Sequence, residues 1–286
     1  MPSLIDIRRR IRSVKNMKQI TKAMKMVSAA KLRRAQDKVI AARPYAQSMQ
    51  RMLANVALAA SADEMSEIPL LAKREEKRIQ LIVVTADRGL AGAFNANVNR
   101  AALRFIQEHR NADVALELVG RRARDFFRKR HKNITGEYAT FFQKNVRYED
   151  ALQVAGKVIE RFEKGEIDAV YLVVNHFRNV VVSDLSLTRI LPVELPENRA
   201  PIDYIYEQRP HQLLRGLLPR YIQAEIYRAM LESSAAEHAA RMTAMDAATT
   251  NAGDVIDHLT LTMNRVRQAS ITREIIEIVS GAAALD

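Results

Sequence analysis

Residues 32–60 read LRRAQDKVIAARPYAQSMQRMLANVALAA, and the spacing of their apolar members decides the fold. Leu32, Ala35, Val39, Ala42, Ala46, Met49, Leu53, Val56 and Ala60 alternate steps of three and four without a break. That is the heptad seam of a coiled coil, which brings apolar side chains back to one face every 3.5 residues or so. Between Ser3 and Ala60 there is no glycine and only one proline, Pro44, so a single long helix is expected, kinked where Pro44 removes a backbone hydrogen bond. Further upstream Ile11, Val14, Met17 and Ile20 step by threes, while the strict heptad positions fall on Lys18 and Lys25. The seam is therefore expected to change register there, as a stammer makes it do.

The C-terminal region carries the matching signal. From about His211 to Leu285 the chain is expected to be helical, since beyond Pro219 there is no further proline and glycine occurs only at Gly253 and Gly281. Ile256, Leu259, Met263 and Val266 form one stripe, and after a five-residue step Ile271, Ile275, Ile278, Ala282 and Leu285 form another. Upstream of these lie Ala235, Ala236, Ala239, Ala240, Ala244, Ala247 and Ala248, small side chains that let two helices approach closely.

Between the two helices the rhythm changes. IQLIVVTA (79–86) is a continuous apolar run of the buried-strand kind, followed by the turn DRGLAGAFN (87–95) and a helical stretch to His109. VALELVG (114–120), a helix starting near Arg121, and YLVVNHF (171–177) repeat the alternation, and VVVSDLSLTRILPVEL (180–195) supplies an edge hairpin or a last strand. The fold class is α/β: a long antiparallel coiled coil of N- and C-terminal helices with an inserted small Rossmann-like α/β domain. The expected divisions are 1–60, 61–208 and 209–286. Strand order is not readable. The glycine turn has neither G-x-G-x-x-G nor G-x-x-x-x-G-K-[ST] spacing, so a tight turn using the backbone freedom of Gly89 and Gly92 accounts for it better than a phosphate loop.

Because both helices join the same insertion, they must pair antiparallel, with the numbers of neighbouring residues adding to about 269. Residue 24 then lies near residue 245. At 1.5 Å per residue the second helix outruns the first by roughly 25 Å, leaving a C-terminal overhang.

Net charge is confined to one end. Positions 1–60 hold 14 Lys and Arg against Asp6 and Asp37, which accounts for the whole net charge of +12; from position 61 onward cations and acids balance at 31 against 31. The stretch KNMKQITKAMKMVSAAKLRRAQ (15–36) has seven cations and no carboxylate. Such a face is either solvated or meets an acidic partner or nucleic acid. A basic coiled-coil nucleic-acid-binding protein is the alternative reading, but the basic face lacks aromatic residues and the chain has no Trp. With no cysteine, disulfides and thiolate zinc sites are excluded. The six histidines form no H-E-x-x-H pair, and no catalytic constellation or cofactor site is expected. Glu274 and Glu277 stand one turn apart near a helix C-terminus, where carboxylates are disfavoured, and suggest partner contacts more than acid–base chemistry. No apolar run approaches a membrane span, and MPSLIDIRRR lacks a leader's apolar segment, so a soluble, cytoplasmic chain is expected.

Residues 15–36, their continuation QDKVIAARPYA, the phrase VTADRGLAGAFN, the string EHAARMTAMDAATTNA and above all the ending RQASITREIIEIVSGAAA closely resemble the gamma subunits of F-type ATP synthases, over the entire chain. Ile271-Thr272-x-Glu274-x-x-Glu277-x-x-x-Gly281-Ala282 is similar to that family's signature. The resemblance implies a non-catalytic central stalk, a rotor inside the hexameric ring of alpha and beta subunits, with an epsilon subunit and the membrane rotor ring as further partners. It also implies a place on the cytoplasmic side of a bacterial cell membrane, peripheral to it through the complex. By the same resemblance, Met24, Lys25 and Arg241 face an acidic loop of the beta subunits, while Arg267, Gln268 and Thr272 touch catch loops of the ring. Ile271, Ile275, Ile278 and Leu285 form a bearing tip. Chloroplast-type members carry a cysteine-bearing insertion that this chain lacks, so thiol regulation is expected to be absent.

Overall fold

The computed structural model describes residues 3–142, 145–179, 183–195 and 207–283. The chain divides into two compact units, one of Met1–Ser28 with Met242–Asp286 and one of Ala29–Arg241. Helices α1 (Leu4–Ala59) and α6 (Pro210–Ala283) contribute to both. Ser3 caps α1, its Oγ accepting the Asp6 amide at 3.2 Å and donating to the Asp6 carboxylate at 2.8 Å. Pro44 does not end α1. The carbonyl it leaves without a donor is that of Ile40, on an exposed turn where water can serve.

In the unit of residues 29–241, Leu32, Ala35, Val39, Met49, Leu53 and Val56 are buried, and α6 answers with Leu214, Leu218, Ile222, Met230, Leu231, Ala235 and Ala239. Numbers of facing residues add to about the expected value: Lys31 and His238 line one groove, Tyr45 and Ala224 another.

In the other unit the expected change of register does not occur. The strict heptad positions Val14, Lys18, Thr21, Lys25 and Ser28 all turn inward: Thr21 and Ser28 are buried and Lys18 and Lys25 half-buried, while Met17 and Ile20 are exposed. The facing helix supplies the reason. Thr249 donates a hydrogen bond to Thr21 (2.8 Å), Lys25 Nζ meets Asp246 Oδ1 at 2.6 Å, and Lys18 Nζ reaches over Gly253, where a Cβ would stand 3.1 Å away. Each polar seam residue has a matching polar or absent side chain, so the 3.5-residue period persists after the apolar residues leave it.

The insertion begins with a short helix α2 (Ala62–Ser66) and a 3₁₀ turn (Pro69–Leu71). It continues as β1 (Arg78–Val84), α3 (Phe94–Glu108), β2 (Asp113–Val119), α4 (Arg121–Phe127), β3 (Ile134–Tyr138), α5 (Tyr148–Glu163), β4 (Ala169–Phe177) and β5 (Ser183–Leu191). The sheet order is β3-β2-β1-β4-β5, parallel except for β5, which pairs antiparallel with β4. Central β1 is buried from Ile79 onward, which is why its sequence is continuously apolar. One core gathers Ile79, Leu81 and Val83 with Val98, Phe105, Leu116 and Phe127.

The turn after β1 puts its positive φ angles on Leu90 (62°) and Gly92 (54°), not on Gly89. Gly89 instead lies under the Arg122 guanidinium, and its carbonyl accepts from Arg241 at 3.0 Å. Asp87 closes the turn by accepting the amides of Arg121 and Phe142, each at 2.9 Å. The stricter glycine is Gly120, with φ of 101° and the place of a Cβ only 2.1 Å from the Thr85 carbonyl oxygen.

Strand β3 has no counterpart among the expected strands. Its sequence ITGEY is short, half-exposed and broken by Gly136, and the glycine is demanded from outside the strand. The fully buried carboxylate of Glu117 occupies the space a Cβ would need, 2.0 Å away, and accepts hydrogen bonds from Thr135 and Tyr138, both at 2.7 Å. Burial and that carboxylate both push the Tyr138 phenol well above its ordinary value.

Candidate partner-contact surfaces

The helix register places the residues named from sequence in different settings. Lys25 lies on the seam and is bound to Asp246, with side-chain exposures of 40% and 56%, so its cation faces solvent already half-neutralised. Met24 beside it is half-buried. Lys22 and Lys15 are exposed, as are Arg8, Arg9, Arg10 and Arg12, and together they form the accessible basic surface of this helix segment.

Arg241 belongs to the other unit and is buried. It donates to Glu237 Oε1 at 2.6 Å, to the Gly89 carbonyl at 3.0 Å and to His238 Nδ1 at 3.4 Å. A guanidinium so engaged ties α6 to the turn after β1. Burial pushes the Glu237 carboxyl up against the pull of Arg241. Burial, with Arg241 and Lys31 nearby, pushes the His238 imidazole down to about 4.

Arg267, Gln268, Ile271, Thr272, Ile275 and Ile278 come together on successive turns of α6. All are exposed, and Thr272 Oγ1 donates to the Gln268 carbonyl at 3.0 Å. Every residue from Ile271 to Ser280 is exposed, including Ile276 and Val279, which the expected stripe omitted. Leu285 lies outside the described residues. α1 starts at Leu4, and the register pairs that residue with a position near 267, so among the described residues no helix covers the next turns of α6.

A second exposed apolar set was also missed. Met17, Ile20, Met26 and Val27 stand outside the seam of α1. The signal was present in the heptad frame itself, which excludes all four from the a and d positions. Among the described residues no group of His, Asp or Glu could hold a metal ion, and no helix is long and apolar enough to cross a membrane.

Paired helices with an apolar seam beside a Rossmann-like sheet in one unit, and with a polar seam and uncovered apolar turns in the other, define a subunit that works through contacts with other chains. Comparison with known proteins gives the family. The ATP synthase family profile matches residues 3–285. The chain is 61% identical to the ATP synthase gamma chain of Solibacter usitatus and 50% identical to that of Pelotomaculum thermopropionicum, each match spanning 100% of both chains. Among solved structures, a rotational state of the Euglena gracilis mitochondrial ATP synthase holds a chain with a TM-score of 0.68 at 20% identity, covering 99% of this chain and 94% of that one. A Tetrahymena thermophila mitochondrial central stalk and c-ring structure gives 0.60 at 24%, covering 80% and 99%. The chain belongs to the ATP synthase gamma chain family, and it is a non-catalytic stalk subunit of that complex. None of these relatives supports the nucleic-acid reading.

Proposed function

We propose that this chain is the central shaft of a proton-translocating F-type ATP synthase on the cytoplasmic side of a bacterial membrane. It couples rotation, driven by the membrane ring, to the catalytic sites of the surrounding alpha and beta subunits. The observation that carries the reading is the run of exposed residues from Ile271 to Ser280 at the end of α6, five of them Ile or Val. So much apolar side chain on a single uncovered helix marks a surface meant for another chain. A collar of apolar residues suits a turning part, because burial free energy scales with area and has no preferred direction.

Within this reading Ile271, Ile275, Ile278 and Leu285 are the bearing, and Arg267, Gln268 and Thr272 meet loops of the ring. Met24 and Lys25 face an acidic loop of the beta subunits. Arg241 takes part through the geometry it imposes on α6 and the turn at Gly89, since its own guanidinium is committed to Glu237. An epsilon subunit completes the assembly.

Co-purification of alpha and beta ATP synthase subunits with a tagged copy of the chain tests the reading, which fails if neither is captured. Deleting residues from Ile275 onward should weaken assembly yet leave substantial ATPase activity in complexes that form. Substituting Arg267 and Gln268 should reduce turnover without loss of assembly. Abolished turnover in assembled tip-deleted complexes would make the tip a torque-bearing contact.

A further inference from the structure

A groove of about 420 Å³ in the unit of residues 29–241 is lined on one side by Lys31, Arg34 and Lys38 of α1 and on another by Ser234 and His238 of α6. Phe142, Asn145 and Val146, ahead of α5, form the third wall. The spacing of the three cations, three and then four residues apart, puts them on one helix face. Among the described residues none of the three is ion-paired, and no carboxylate lines the groove. Glu237 of α6 feels Lys31 but is hydrogen-bonded to Arg241.

We propose that this groove is a binding site for a small, multiply charged phosphate compound the size of a triphosphate chain. It is independent of the contacts assigned to the shaft surfaces. Three cations converging without a carboxylate leave a local charge that only an anion can balance, and the guanidinium of Arg34 offers the paired donors that phosphate oxygens accept. The Ser234 hydroxyl and the Asn145 amide add neutral donors, as phosphate sites use around their charged groups. Concavity decides for a compact ligand: three walls around a volume in the small-molecule range enclose a chain of phosphates better than a flat peptide. His238 also lines the groove, beside Arg34 and Lys38. Burial first, and then Arg241 of its own helix and Lys31 of α1, hold its imidazole neutral, at about 4. Arg241 donates to Nδ1, which leaves the ring hydrogen on Nε2 as a further donor. An anion seated in the groove would bridge α1, α6 and the segment before α5.

The test is calorimetric titration of inorganic tripolyphosphate into the full-length chain and into the reconstituted complex at low and moderate salt. One-to-one binding is expected for the free chain, and for the complex one site more than the same complex shows when it is built with the Lys31→Ala/Arg34→Ala chain, since the catalytic sites of the ring also take phosphate chains. The double variant Lys31→Ala/Arg34→Ala should weaken it about tenfold or more with helix content unchanged by circular dichroism. The control Arg9→Ala/Arg10→Ala, on an exposed basic surface outside the groove, should change it less than about twofold. Should the first double variant fold poorly, Lys38→Gln takes its place with a smaller loss in the same direction. The His238 ring resonance should move on binding and its titration midpoint should rise. Equal weakening by the control variant would reduce the site to diffuse surface charge and overturn the proposal, as would absence of binding. Binding to the free chain that vanishes in the complex would assign the groove to an acidic segment of a partner subunit instead.

Discussion

Two stretches of one helix obey the same heptad and fill it with opposite chemistry. Along residues 32–60 the seam of α1 is apolar and mostly buried; along residues 18–28 it passes through Lys18, Thr21, Lys25 and Ser28, and the apolar residues stand outside it. The first arrangement is what a stable helix pair needs. In the second, burial free energy has been traded for polar pairs that fix the register, and Met17, Ile20, Met26 and Val27 are left available to other chains. Cohesion is thus concentrated in one stretch and surface for partners in the other.

The largest expected effect comes from breaking the apolar stretch. Leu53 is 1% exposed, and Leu53→Ala should cost about 2–5 kcal/mol by lost burial and residual cavity. Ile20→Ala, at a position 60% exposed, should change the stability of the chain by less than about 0.5 kcal/mol. Urea denaturation of the two variants decides the matter: equal losses would mean that Ile20 is on the seam after all.

The next effect follows from depth of burial. Polar groups beside the apolar stretch are held deep, as His238 shows with an imidazole brought down to about 4 from an ordinary 6.5. The unfolded chain takes up that proton first, so stability is complete above about pH 6.5 and is lost as pH falls toward 4, by up to about 3 kcal/mol. Glu237 works in the opposite sense, since its raised carboxyl holds a proton in the folded chain at pH values where the unfolded chain has released it. The difference between the parent and His238→Gln isolates the histidine. Parallel pH–stability curves for the two would show that His238 titrates normally.

Much of the fold was legible because its causes are local. The heptad from Leu32 to Ala60, the apolar run of β1 and the antiparallel register needed only spacing and connectivity. β3 was not legible, because the reason for Gly136 is the buried carboxylate of Glu117, which belongs to the neighbouring strand and is remote in sequence. The polar seam was misread for a related reason. Lys18 and Lys25 look like interruptions until Gly253 and Asp246 stand opposite them, and only pairing reveals that. The same holds for the site: the exposed tip followed from helix lengths, whereas the burial of Arg241 depended on Glu237 and on a carbonyl presented by a distant turn.

A milder intervention turns the polar stretch toward the apolar one. Replacing both Thr21 and Thr249 by Val removes a donor and its acceptor together while keeping shape, which leaves nothing buried without a partner. The double variant should be neutral or gain up to about 1 kcal/mol in thermal denaturation. A loss larger than that would mean the hydroxyl pair contributes cohesion and not only register.

The smallest effect belongs to Lys25 and Asp246, and its smallness bears on function. The pair is short at 2.6 Å, yet the two side chains are 40% and 56% exposed, so water screens the attraction and both side chains surrender rotamer freedom to make it. A double-mutant cycle with Lys25→Ala and Asp246→Ala should give a coupling of about 0.2–1 kcal/mol, falling as salt is raised past physiological strength. A coupling that weak lets Lys25 leave Asp246 for an acidic group on a passing partner and return to it, at an exchange cost near thermal energy. A rotating contact needs that property, because a cation locked to one partner would hold the helix at one angle. A coupling well above that range, or one indifferent to salt, would make Lys25 a fixed strut of the helix pair and remove it from the surface offered to partners.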